Sequence, residues 1–148
     1  MKSLLVSACL LGAECKYSGG SNRLSEQYLA ALRTQYRIIP VCPEVAGGLP
    51  VPREPSERRD GGVYSRTGTD VTAEYEKGAH TAVQLAERFG CTAALLKEQS
   101  PSCGSGRIYD GSFSGVLISG YGTAAEALKE RGIDVFGESR VKDILDIG

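Results

Sequence analysis

Four short apolar runs, separated by stretches of helical periodicity, constrain this chain more than any other feature. Leu4-Leu5-Val6, Tyr36-Arg37-Ile38-Ile39-Pro40-Val41, Thr92-Ala93-Ala94-Leu95-Leu96 and Ile133-Asp134-Val135-Phe136 have the length and apolarity of buried strands. The first extends over residues 4–8. Residues 22–35 carry Leu24, Tyr28, Leu29 and Leu32 at helical spacing, with Ser21 or Asn22 as the N-cap. A longer helix over residues 72–89 places Tyr75, Ala79, Ala82, Val83, Ala86 and Phe89 on one face; Asp70 or Thr72 caps it and Gly90 ends it. Thr123 opens a third helix through Ala125, Leu128 and Arg131, closed by Gly132, and a last short helix runs to Leu145. The order βαβαβαβα predicts an α/β fold: an open, parallel, Rossmann-like sheet with helices on both faces, in a single domain over residues 1–148. Two segments stand outside this rhythm. Residues 47–70, with Pro50, Pro52, Pro55, Gly61, Gly62 and Gly68, read as an irregular lid, and residues 107–116, around Gly111, as a hairpin or a closing loop.

Composition narrows the function classes. Lys+Arg 17 against Asp+Glu 18 leaves no global positive field for nucleic acid or anionic lipid, and with Trp 0 there are few stacking platforms for bases. Val6-Ser7-Ala8-Cys9 imitates a bacterial lipobox, but the apolar run before Cys9 is far shorter than the roughly 7–15 residues of a signal-peptide core. No run approaches the roughly 18 residues of a membrane span. A cytoplasmic protein is expected, and five cysteines in a reducing compartment point to metal binding or chemistry rather than structural disulfides.

In open α/β sheets ligands bind outside the carboxyl ends of the strands. Cys9 directly follows the first strand, Cys42 the second, and Cys103 stands a few residues beyond the third, so three thiols from distant parts of the chain reach one sheet edge. Cys91 precedes the third strand, on the opposite edge, and reads as a packed thiol. Cys15 shares the loop of Cys9 and reads as a ligand, a redox partner or a packing residue. No C-x-x-C pair is present and His80, the one histidine, lies on the polar side of its helix, which disfavours structural zinc. Three readings remain open at this point: a cysteine-held iron–sulfur cluster with one iron left open, a thiol–disulfide pair of Cys9 and Cys42, and three inert buried thiols. Glu44 stands two residues past Cys42, where partial burial raises a carboxyl toward the range of proton transfer. Ser100 and Ser102 flank Pro101 in the third loop as candidate hydroxyls for positioning water or relaying protons, and Gly104 and Gly106 permit close backbone approach.

Taken together, Ser7-Ala8-Cys9-Leu10-Leu11-Gly12 with Cys15, Pro40-Val41-Cys42-Pro43-Glu44-Val45 with Gly47-Gly48-Leu49-Pro50, Ser100-Pro101-Ser102-Cys103-Gly104, Ile108-Tyr109-Asp110-Gly111 and Gly132-Ile133-Asp134-Val135-Phe136 resemble the DUF523 family, which includes the thiouracil desulfidases. The resemblance covers nearly the whole chain, in motif order. It implies a 4Fe-4S cluster held by Cys9, Cys42 and Cys103, whose fourth iron takes sulfur from a thiolated pyrimidine of the 2-thiouracil or 4-thiouridine type. It also implies that Glu44 and Ser100 are the acid/base groups, with hydrogen sulfide released and no net redox change. Ser18 and Val51 depart from the family pattern. Arg53, Arg58, Arg59 and Arg66 in the lid offer charge to a nucleotide phosphate, which keeps a thiolated tRNA among the partners beside a free small molecule. A cluster- or sulfur-carrier module and a cluster-free thiol protein are the competing classes.

Overall fold

In the computed structural model, which describes residues 1–147, the elements run β1 (Lys2–Ser7), a 3-10 turn (Ala8–Leu11), α1 (Glu26–Gln35), β2 (Tyr36–Val41), α2 (Pro43–Ala46), β3 (Ser56–Arg59), β4 (Gly62–Ser65), α3 (Thr72–Arg88), β5 (Ala93–Leu96), β6 (Ser105–Tyr109), β7 (Leu117–Tyr121), α4 (Thr123–Glu130), β8 (Asp134–Gly137), a second 3-10 turn and α5 (Val141–Ile147). The four apolar runs become one parallel sheet in the order β2-β1-β5-β8. Both faces are covered, as the sequence predicts. Leu4 and Val6 of β1 pack with Leu32 of α1, Leu95, and Val141 and Ile144 of α5; Leu5, between them, faces Ala79, Ala82, Val83 and Ala86 of α3 and Leu128 of α4. Alternate side chains thus leave the same strand for opposite layers, as the two-residue period of a strand requires. No helix among the described residues is long and apolar enough to cross a membrane.

The chain leaves β1 for β2 on one side, then crosses to β5 on the other. That reversal opens a crevice at the carboxyl ends of β1, β2 and β5.

Four local expectations are corrected. Ala8 starts a 3-10 turn rather than ending the strand. α1 begins at Glu26 behind Ser25, whose Oγ accepts from the Tyr28 amide at 3.3 Å; residues 22–24 instead follow the first turn, with the amides of Asn22 and Leu24 bonded to the carbonyls of Cys9 and Leu10. The lid contains an antiparallel hairpin, β3–β4, turning at Asp60-Gly61 with both residues at positive φ, a two-residue turn matched to strand twist. The second hairpin, β6–β7, brackets the loop 110–116 rather than lying inside it. Glu57 of β3 accepts from the amides of Gly111 and Phe113 at 3.0 and 3.1 Å, fastening the two hairpins together beside the crevice.

Candidate functional site

A cavity of about 510 Å³ opens over the crevice, within the range of small-molecule sites. Cys9, Cys42 and Cys103 all line it, together with Cys15, Glu44, Ser100 and Ser102. Each arrives by a different local device. The 3-10 turn after β1 presents Cys9; Cys42 is the N-cap of α2, with Pro43 at the first helical position where its missing amide is harmless. Cys103 follows a tight turn whose Gly104 amide donates to the Ser100 carbonyl at 2.8 Å. No three Cys, His, Asp or Glu side chains among the described residues converge closely enough to share a single ion. In a polynuclear group each cysteine would bind a different metal, so its ligands need not converge on one point.

The thiols sense one another. Burial raises the Cys9 thiol pKa and the Cys42 charge adds to this, whereas the Asn22 side chain and Lys97 oppose it. Cys15 is pushed up to about 12, first by burial and then by Cys42 and Cys9. Cys103 is pushed up to about 12 by burial, with hydrogen bonds from Ser7 and Ser102 acting against it. Binding a metal would require these groups as thiolates, with their protons displaced. All five cysteines are free thiols.

Glu44 is placed by close packing. A Cβ on Gly47 would meet the Glu74 carbonyl oxygen at 1.9 Å, and one on Gly78 would meet the Pro43 oxygen at 1.8 Å. These two glycines let α2 lie against α3, so Glu44 reaches both Tyr75 and the cavity. Arg53 donates to Glu44 Oε1 from Nε at 3.1 Å, and its Nη2 lies 3.0 Å from the same oxygen; the two side chains are only 7% and 13% exposed, so the pair is largely desolvated. The guanidinium also holds the carbonyls of Cys15 and Pro50, each at 3.0 Å. Glu44 is not buried alone, because the largely buried Arg53 guanidinium lies against it. On the other oxygen, Oε2, Ser102 Oγ donates at 2.8 Å. Tyr75 is buried in α3 beside the cavity, and burial followed by the charge of the Glu44 carboxylate raises its phenol pKa. Ser100 Oγ lies 2.9 Å from Ser102 Oγ and accepts the amides of Ser102 and Cys103, both at 3.1 Å.

The lid arginines do not form one phosphate cradle. Arg53 is engaged with Glu44, Arg58 pairs with Glu126 at 2.8 Å and donates to the Tyr121 carbonyl, and Arg59 lies over the Tyr64 ring. Only Arg66, over the Phe113 ring, both lines the cavity and is exposed at its mouth. Tyr75, Asn22 and Lys97 line the cavity without having been singled out as site residues in the sequence, and Arg53, expected as a phosphate ligand, is instead the partner of Glu44. Tyr75 was legible only as part of an apolar helix face. Cys91 lies where predicted, buried in the apolar layer under α3 and α4.

Fold and site together define a doubly wound α/β protein with a thiol-lined pocket at its topological switch point. The chain belongs to the 2-thiouracil desulfurase family, whose model matches residues 4–140. It is 41% identical over 152 residues to the uncharacterised protein YbbK of Bacillus subtilis (strain 168), covering 96% of this chain and 99% of that one. A solved structure, that of the 4Fe-4S-dependent thiouracil desulfidase TudS, superposes with a TM-score of 0.93 at 45% identity over 100% of both chains.

Proposed function

We propose that this protein removes sulfur from a thiolated pyrimidine, of the 2-thiouracil or 4-thiouridine type, with water supplying the oxygen of the carbonyl product and the two protons of hydrogen sulfide. The observation that carries the reading is the gathering of Cys9, Cys42 and Cys103 from three strand ends into one cavity with Glu44 and Ser100. Family membership and the likeness to a 4Fe-4S-dependent desulfidase support it. Cys9, Cys42 and Cys103 would hold a 4Fe-4S cluster, which would supply a Lewis acid for the thiocarbonyl sulfur.

The remaining work falls to the chain. Glu44, fixed by Arg53, is the base that finally receives a proton of the water that attacks the thiocarbonyl carbon. Ser100, held by two amides, passes protons toward the ring nitrogen or the departing sulfide. Lys97 and Arg53 offset the negative charge of the thiolates. The sulfur keeps its oxidation state throughout, so no electron donor is required.

The test is anaerobic loading with iron and sulfide, followed by incubation with 2-thiouracil and with 4-thiouridine monophosphate. Carbonyl product and sulfide in equal amounts, over many turnovers, are expected from at least one of them. A loaded protein that releases no sulfide from either overturns the desulfidase reading in favour of a carrier. Protein that binds no iron and instead closes a reversible Cys9–Cys42 disulfide overturns it in favour of thiol chemistry.

A further inference from the structure

Resting on that reading, we propose that Ser102 is a positioning residue through which Glu44 and Ser100 exchange protons. No direct hydrogen bond joins Glu44 to Ser100 among the described residues; Ser102 Oγ stands between them, 2.8 Å from Glu44 Oε2 and 2.9 Å from Ser100 Oγ. The directions of these bonds follow from proton counting. A serine has one hydroxyl proton, and that of Ser102 has three acceptors to choose from, the carboxylate at 2.8 Å, Ser100 Oγ at 2.9 Å and Cys103 Sγ at 3.6 Å. The short bond to a charged oxygen prevails. Ser102 Oγ therefore accepts from Ser100, whose own proton points at it. Ser100 Oγ in turn accepts the amides of Ser102 and Cys103, and these two fixed dipoles stabilise the oxygen as its proton departs.

The line Ser100–Ser102–Glu44 is thus polarised in one sense. When the attacking water takes the place of one amide at Ser100 Oγ and gives it a proton, the Ser100 proton moves to Ser102 and the Ser102 proton to Glu44 Oε2. Each hydroxyl ends with one proton and the carboxylate becomes the acid; the reverse transfer returns a proton to the leaving sulfide. The other side of Glu44 is filled, with Arg53 on Oε1 and Tyr75 against the carboxylate.

The relay is also held still. The Ser102 carbonyl accepts the amides of Ala124 and Ala125 at the start of α4, at 2.8 and 3.1 Å, and a Cβ on Gly122 would come within 2.4 Å of the Ser102 carbonyl carbon. At 2% exposure, bulk water does not reach Ser102 to substitute for it.

The experiment compares Ser102→Ala, Ser102→Thr and Glu44→Gln in the anaerobically loaded protein with a turned-over thiopyrimidine, reading kcat, KM, the visible absorption and the solvent deuterium effect on kcat. Ser102→Ala is expected to keep the absorption and KM while kcat falls about 10²-fold, the lower end of acid–base contributions. The dependence of kcat on deuterium fraction should change from curved in the native protein, with several protons in flight, to linear in Ser102→Ala. Ser102→Thr, which keeps the hydroxyl, should restore most of kcat. Full kcat in Ser102→Ala beside an inactive Glu44→Gln overturns the relay and leaves the desulfidase reading intact. Loss of the absorption in Ser102→Ala also overturns it, reassigning the hydroxyl to Cys103. A native protein without turnover is a different result, the failure of the activity itself.

Discussion

Cys103 and Cys91 are almost equally hidden, at 4% and 6% exposure, and they bracket β5, one beyond its carboxyl end and the other before its amino end. Their surroundings have nothing else in common. Around Cys91 burial is the one influence on the thiol, because it packs in the apolar layer under α3 and α4. Around Cys103 stand the hydroxyls of Ser7 and Ser102, the carboxylate of Glu44 and the thiol of Cys9. Burial therefore does not distinguish a cysteine in an apolar layer from one at a polar cavity. A buried polar neighbourhood does, because each group in it carries a desolvation cost that the apolar edge avoids.

The sharpest way to break this contrast is to exchange the two edges' fates by mutation. Cys103→Ser, Cys9→Ser or Cys42→Ser should each abolish stable iron and sulfide binding and with it turnover, whereas Cys91→Ala should retain both. Metal analysis after anaerobic loading decides it, and normal iron content in Cys103→Ser would contradict its role as a ligand. Next in size, Glu44→Gln should lower kcat by about 10²- to 10⁴-fold with the visible absorption unchanged. Loss of the absorption instead would make Glu44 a structural residue. Third, Arg53→Met strands a largely buried carboxylate and should cost about 3–5 kcal/mol in denaturant unfolding, much of it regained in the double variant with Glu44→Gln. If the two single changes simply add, the pair is not coupled. Cys91→Ala should cost about 1 kcal/mol through lost packing alone, a change read as a shift in unfolding midpoint with no change in kcat.

Much of this contrast was legible in the chain. The four sheet strands are short, largely apolar runs despite Arg37 in β2 and Asp134 in β8, so their length and apolarity identify them; with them came the sheet edge on which Cys9, Cys42 and Cys103 fall. β3 was not legible as a strand because Ser56-Glu57-Arg58-Arg59 has no apolar face to alternate, although Asp60-Gly61 is the dipeptide that a two-residue hairpin turn prefers. α2 is a single turn, too short for a periodic signal. The partners of Glu44 were hidden for a different reason. Arg53 comes from a proline-rich segment, Tyr75 from the next helix and Ser102 from a loop 58 positions away, and only tertiary packing through Gly47 and Gly78 brings them together. An arginine among prolines reads as solvated until the fold supplies its carboxylate.

The smallest expected effect tests whether a polar contact matters simply because it lies on the working side of the sheet. Asp70, just before α3, uses Oδ1 to accept from the Thr72 amide at 2.9 Å, and it is fully exposed. The Thr72 side chain and then that amide hold the Asp70 carboxyl below its ordinary value of 3.8. Since the folded state depresses this pKa, the bond's contribution to stability is fully present above the unfolded value and is lost as pH falls below it through the folded one. Asp70→Ala should therefore be slightly less stable than the native protein at neutral pH, with the difference closing in acid below that value. Asp70→Asn keeps an acceptor that does not titrate and should carry no such pH dependence. Unfolding curves for the three proteins at neutral and acid pH provide the measurement. A gap for Asp70→Ala as large as that for Arg53→Met would mean that position on the sheet, and not desolvation, sets what a polar contact is worth.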